Sequence, residues 1–204
     1  DPYTEVDEGC EPGDLIQFKI DGVPVQSSPP VYWTANGDVF EVCDFGADRC
    51  LNIPLHVGWN LISWNVDTPD DDIETIIKDI KGCIDVVLGF EQGAATYDPD
   101  LSQFSTLTTL DHLHGYWFRM NCDTTLCVTG TKVAPDTPID LEQNWNLVSY
   151  LPNDSDSTPV AISSVLDKLI VALGFDNGGL TYDPAQPQFI TLKKMNPGFG
   201  YWLK

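Results

Sequence analysis

Apolar positions between residues 10 and 55 recur with a period of two. Ile16, Phe18 and Ile20 alternate with Gln17 and Lys19, Asp21-Gly22 follows as a turn, and Asn36-Gly37 separates "VYWTA" from "DVFEVC" as a hairpin connection does. Pro12, Pro24, Pro29 and Pro30 restrict these strands to short or edge segments, so the stretch predicts a small sandwich-like β domain over residues 1–55.

From residue 57 the pattern changes and is written twice. "GWNLISW" (58–64) is answered by "NWNLVSY" (144–150), and "LGFEQGAATYDPDLSQFSTLTTL" (88–110) by "LGFDNGGLTYDPAQPQFITLKKM" (173–195). Between these anchors Ile73, Ile76, Ile77 and Ile80 follow Thr68-Pro69, and Ile162, Val165, Leu166 and Leu169 follow Thr158-Pro159. The i, i+3, i+4, i+7 spacing predicts an amphipathic helix in each copy, capped by Thr with Pro at its first position. Aligning the two Thr-Pro pairs implies four extra residues before the second helix, around "PNDSDS", and a compensating surplus in the first copy at "KGCID". Each copy then reads as strands at "VVLGF" or "VALGF", "ATYD" or "LTYD", "FSTLTTL" or "FITLKKM", and "GYW". The predicted class is α+β to mostly β: an N-terminal β-sandwich-like domain and two tandem repeats, 56–134 and 135–204, each with one helix on a mostly antiparallel sheet.

Composition narrows the setting. With 31 acidic and 10 basic residues the net charge is −21, a field that repels phosphate backbones and anionic lipid headgroups, so neither nucleic acid nor membrane insertion is expected. No run of 18 apolar residues and no charged-then-apolar leader is present, and the chain reads as already processed. The six cysteines contain no C-x-x-C pair and read as a disulfide set, which places the protein outside the cell or on its surface. Short loops favour Cys43–Cys50 and Cys122–Cys127, leaving Cys10–Cys83 to staple the β domain to the first repeat. Asn153-Asp154-Ser155 is a glycosylation sequon.

The copied positions are mostly apolar or aromatic: Trp59/Trp145, Phe90/Phe175, Tyr97/Tyr182 and Trp117/Trp202 are expected to be repeat core. An aromatic platform for sugar rings would need Tyr116, Tyr201 or the Tyr97-Asp98 pair to be exposed together. Asp98-Pro99 and Asp183-Pro184 read as turn starters. His112 and His114 share one face of an extended segment at metal-ligand spacing, but the second copy has Pro197 and Phe199 there, which favours a turn. Asp70, Asp71 and Asp72 suit a helix N-terminus and are also candidate Ca²⁺ ligands; without the Gly and Glu of an EF-hand loop the dipole reading is preferred, and no other cofactor is expected. No catalytic residue can be nominated, because no nucleophile, metalloprotease, phosphate-loop or dinucleotide phrase occurs.

The phrases "GWNLISW", "TYDP", "STLTTL" and "HGYWFRM" make residues 57–130 and 141–204 resemble the W-N-L-I-S … Y-D-P … G-Y-W repeats of secreted and cell-surface proteins of bacteria and archaea, and "PGDLIQFKIDGVPV" resembles the β module that precedes such repeats. The resemblance implies surface location and an architectural or adhesive role. It departs from the usual pattern at His112-Leu113, where Pro-Gly is expected. After Trp117 the first copy continues through "FRMNCDTTLCVTGTKV", enough for another strand, whereas Leu203 and Lys204 alone follow Trp202. The second copy is thus expected to present an open edge, to be filled by a strand from a neighbouring subunit such as residues 1–6, unless the N-terminal strand of the same chain fills it or the chain is one piece of a longer protein. These readings lead to a non-enzymatic extracellular structural protein, a cell-surface or filament-forming subunit that self-associates through strand edges. The alternative is a carbohydrate-binding or adhesin module of a larger surface assembly.

Overall fold

The computed structural model describes residues 18–20, 23–25, 49–91 and 93–204. The chain divides into two compact units, Asp1–Arg49 and Cys50–Lys204. In the first, β1 (Phe18–Ile20) and β2 (Val23–Val25) pair antiparallel with Ile20 opposite Val23; the Asp21-Gly22 turn expected from sequence lies outside the described residues. The Asn36-Gly37 hairpin, residues 1–6, Cys10 and Cys43 lie outside the described residues.

The second unit contains both repeats. β3 (Arg49–Leu55) belongs here, since Ile53 and Leu55 are buried in the core of the first repeat; the boundary falls before Cys50 and not after Leu55. β4 (Gly58–Ile62), β5 (Val66–Asp67), β6 (Ile84–Phe90), β7 (Ala94–Tyr97), β8 (Tyr116–Met120) and β9 (Thr124–Lys132) complete the first repeat. They form a four-stranded sheet, β4-β8-β6-β7, and a three-stranded sheet, β3-β9-β5, with β9 in the centre. Period-two alternation in β8 sends Tyr116, Phe118 and Met120 inward, while Leu126 and Val128 of β9 close the same core from the other side.

In the second repeat β10 (Asn146–Val148), β11 (Asp156–Ser157), β12 (Ala172–Phe175), β13 (Gly179–Tyr182), β14 (Lys194–Met195) and β15 (Tyr201–Leu203) form the sheet β10-β15-β12-β13 and the pair β11-β14. The four-stranded order reproduces that of the first repeat strand for strand. The "FSTLTTL" strand does not form: Thr109 makes one isolated bridge to Asp72, and only the end of the second copy becomes β14.

The helices are shorter than their apolar spacing predicts and sit in a different register. Each is one turn, α1 at Ile73–Ile76 and α2 at Thr158–Ala161, followed by tight turns. Asp72, not Thr68, caps α1 by accepting from the Thr75 N–H, and Thr158 is inside α2, its hydroxyl donating to the Leu192 carbonyl. Ile73 N–H donates to Thr108 and Thr158 N–H to Lys193, and Ile77 N–H bonds back to Ile73 as Ile162 does to Thr158. The copies therefore run 85 residues apart from the helix through "GYW", as Phe90 and Phe175 do. Neither the four-residue insertion nor the "KGCID" surplus exists. The β-branched, Pro-containing helix segments have low intrinsic propensity, and one turn suffices to bury Ile73, Ile77 and Ile80.

Among the described residues the disulfides are Cys50–Cys127 and Cys83–Cys122, which replaces all three predicted pairings. Strand adjacency brings the cysteines together and sequence proximity does not. Cys50 on β3 and Cys127 on β9 stand on neighbouring strands. Cys83 enters β6 beside the end of β8, where Asn121 N–H donates to its carbonyl at 2.8 Å. Cys122 and Cys127 lie on opposite sides of the passage from one sheet to the other. Two disulfides fit an oxidising compartment, and no described helix is long and apolar enough to cross a membrane.

Candidate functional site

The copied residues build two things, each repeat's own turns and a reciprocal joint between the repeats. Within a repeat, Asn60 accepts from the His56 N–H and donates to the His56 carbonyl, pinning the chain that enters β4; Asn146 does the same at Glu142. Asp98 accepts from the Asp100 N–H and Asp183 from the Ala185 N–H, both at 2.9 Å, the turn role predicted for the Asp-Pro pairs. Thr106 and Thr191 accept from the N–H of Thr96 and Thr181. The Tyr116 hydroxyl accepts from the Asp111 N–H at 2.8 Å and that of Tyr201 from the Asn196 N–H at 2.7 Å. Burial pushes both phenols up, that of Tyr201 to about 12. Gly89 and Gly174 lie under those rings, where a Cβ would meet Tyr116 at 3.5 Å and Tyr201 at 3.1 Å.

Between repeats the contacts come in mirrored pairs. Ser63 donates through its hydroxyl to the Phe199 carbonyl and through its N–H to Gly198; Ser149 donates likewise to His114 and Leu113. Gly200 N–H bonds to Leu61 and Gly115 N–H to Leu147, both at 3.2 Å. Gly115 and Gly200 face one another across the joint: a Cβ on Gly200 would sit 3.1 Å from the Gly115 Cα and 2.8 Å from the Ile62 carbonyl. Phe90 packs edge-on against Trp202 and Phe175 against Trp117, each with ring centroids 5.1 Å apart. Trp59 and Trp145 extend the two clusters, with Arg119 over Trp59 and Lys204 over Trp145. Of the eight aromatics expected in the repeat cores, Tyr97 alone is fully buried; the Phe and Trp residues are half-buried or exposed on the outer sheet faces, where the repeats meet. Period two predicts two faces but not what covers the outward one.

The ionisable groups singled out from sequence have local partners. Asp70 accepts from the Asp72 N–H and the Thr75 hydroxyl, Asp71 from the Thr68 hydroxyl, and Asp72 caps α1, as the dipole reading requires. His112 and His114 do not converge: His112 Nδ1 is 3.3 Å from Asp67, and His114 Nδ1 is 2.8 Å from Asp111. The Asp111 hydrogen bond raises the His114 pKa. Burial opposes ionisation of Asp111, but the bonds from His114 and from the Leu113 and His114 N–H groups outweigh it and hold the carboxyl low. Glu74 bridges Lys81 at 2.6 Å and the Tyr97 hydroxyl at 2.5 Å; those bonds lower Glu74, and burial chiefly raises Tyr97. Among the described residues no three His, Cys, Asp or Glu side chains are placed to hold a metal ion. Asn153 is exposed in the loop before β11, its Oδ1 accepting from Asn65.

Among the described residues two concavities stand out. One, of ≈ 390 Å³, lies between the β3–β4 connection and residues 175–177 and 197–199; Trp59, 41% exposed, and the amides of Asn52, Asn60 and Asn177 line it. The sugar-platform residues named from sequence are not there: Tyr97, Tyr116 and Tyr201 are buried. The other, of ≈ 550 Å³, opens beside the second core between residues 135–141 and 148–152, floored by Ile162, Val165, Met195 and Leu203. Phe104 and Phe189, copied after "YDP", are 77% and 66% exposed, a surface feature that the apolar pattern alone assigns to core. Comparison with known proteins finds no matching family model, no matching curated protein and no matching solved structure.

Proposed function

We propose that this chain is a non-enzymatic extracellular structural protein, a subunit of a cell surface or filament that assembles through β-strand edges. The observation that carries the reading is the apolar groove of the second repeat, bordered by residues 135–141, which pair with no strand among the described residues. The duplicated residues support it, since they are engaged in turns and in the joint between repeats and leave the paired acids and histidines to local structure. Negative-stain imaging of the purified full chain over a range of concentrations tests it. Fibres or ordered sheets are expected, and a product that stays monomeric at every concentration counts against it. Deleting residues 1–9 then asks whether that segment is the donor, because fibres that persist remove it.

A second reading, a carbohydrate-binding or adhesin module, is favoured by one observation, the Trp59 cleft with its amide lining. A glycan array compared with a Trp59→Ala variant addresses it, and flat binding across all sugars rejects it.

A further inference from the structure

Each side of the joint between the repeats carries both halves of the contact set. The first repeat presents donors at the Ser63 hydroxyl and N–H and at the Gly115 N–H, and acceptors at the Leu61, Leu113 and His114 carbonyls. The second presents the same donors at Ser149 and Gly200 and the same acceptors at Leu147, Gly198 and Phe199. The aromatic contact is equally two-sided, since the first repeat supplies Phe90 and Trp117 and the second Phe175 and Trp202. Where the faces differ in sequence, at Leu113/Gly198 and His114/Phe199, the bonds run to backbone carbonyls that any residue supplies. Two faces that meet through mirrored contacts between matching residues are each complementary to a copy of themselves, as in a twofold dimer interface.

We infer that the joint face of the first repeat is a self-association surface, which takes the same face of a second copy of this chain when the second repeat moves off it. In that pair Ser63 donates to the other copy's Leu113 and His114 carbonyls, Gly115 N–H donates to the other copy's Leu61, and Phe90 packs on the other copy's Trp117. His114 then faces Ile62 in place of Val148, a difference of one methylene, and its imidazole stays matched by Asp111 at 2.8 Å. Gly115, which faces Gly200 in the intact chain, comes to face itself. The intact chain prefers its own second repeat for two reasons. Covalent connection holds that repeat at high effective concentration. Some bonds also run one way only: Tyr150 N–H donates to the Ser63 hydroxyl at 3.1 Å, and Asn65 donates to the Leu151 carbonyl and to Asn153 Oδ1, while Leu151 stands where a mirrored Asn would have to be. The first repeat is the one that keeps its face when the joint opens. Among the described residues both disulfides lie within it, and the second repeat contains no cysteine.

This association uses sheet faces and not strand edges, so it stands apart from the assembly proposed above. Its test is the full chain with the second repeat displaced in two independent ways. Gly200→Val drives a Cβ to within 2.8 Å of the Ile62 carbonyl, and Phe199→Asp sets a carboxylate beside Ile62, to which Phe199 is bridged. Both leave the sequence of the first repeat unchanged. Sedimentation velocity over a range of concentrations is expected to find each variant monomeric when dilute and of doubled mass when concentrated. Adding Gly115→Val to either should raise the dimer dissociation constant at least about tenfold, because that residue stands on both sides of the new contact. Two single variants that stay monomeric at every concentration overturn the inference. So does a dimer or larger species that Gly115→Val leaves unchanged, because it forms through another surface.

Discussion

Removing the Cys50–Cys127 crosslink with Cys50→Ser and Cys127→Ser is expected to cost about 4 kcal/mol of stability at 25 °C. The bond closes a sequence separation of 77 residues, and loop-closure entropy grows with the logarithm of that length. The paired substitution of Cys83 and Cys122, separated by 39 residues, should cost slightly less, because halving the loop changes the entropy term by only about 0.6 kcal/mol. Denaturant unfolding monitored by tryptophan fluorescence measures both. Equal stability of the parent and the Cys50/Cys127 variant would mean that β3 and β9 are held without the bond. Beyond its magnitude the variant carries a structural consequence. With β9 no longer tied covalently to β3, the two strands are held by their sheet hydrogen bonds and by the shared core alone.

The second large effect belongs to the joint. Gly200→Val and Gly115→Val should each destabilise the second unit by about 3 kcal/mol. Overpacking costs about 1–3 kcal/mol, and the mirrored hydrogen bonds that must lengthen contribute about 1 kcal/mol each. On Gly200 the new Cβ meets the Ile62 carbonyl at 2.8 Å; on Gly115 it meets the Val148 carbonyl at 3.0 Å, and in both cases backbone must move. The two variants should behave alike, because the joint is reciprocal, and both should shift tryptophan emission to the red as Trp117 and Trp202 lose Phe175 and Phe90. Gly82→Ala, with nothing within 4 Å of the new Cβ, is the matched control and should change stability little. Unfolding curves that superimpose for Gly200→Val and Gly82→Ala would show that the repeats do not depend on close approach at these glycines.

Most strands of the repeats were legible, for a simple physical reason. "VVLGF", "ATYD" and "GYW" carry period-two alternation between turn residues, and the same order appears twice, so local pattern and chain order agree. The helix register was not. Thr68-Pro69 and Thr158-Pro159 look equivalent, but the hydrogen bonds that cap a helix select Asp72 in one copy and place Thr158 inside the turn in the other. The disulfides failed for a related reason: short loops were favoured, whereas β9 leaves the first sheet to join β3 and carries Cys127 away from Cys122. The outward aromatics Phe90, Trp117, Phe175 and Trp202 were assigned to each repeat's core because alternation does not reveal that a second sheet covers the outer face.

The central proposal is that this chain assembles through β-strand edges, and backbone amide exchange at residues 135–141, which border the apolar groove of the second repeat, tests it most directly, with residues 50–55 as the internal reference. In the dispersed chain the amides of 135–141 should exchange freely while those of 50–55, paired to β9, are protected; in the assembled form the two segments should be protected alike. Protection of 135–141 already present in the dispersed chain, or free exchange that persists in the assembled form, would contradict the account.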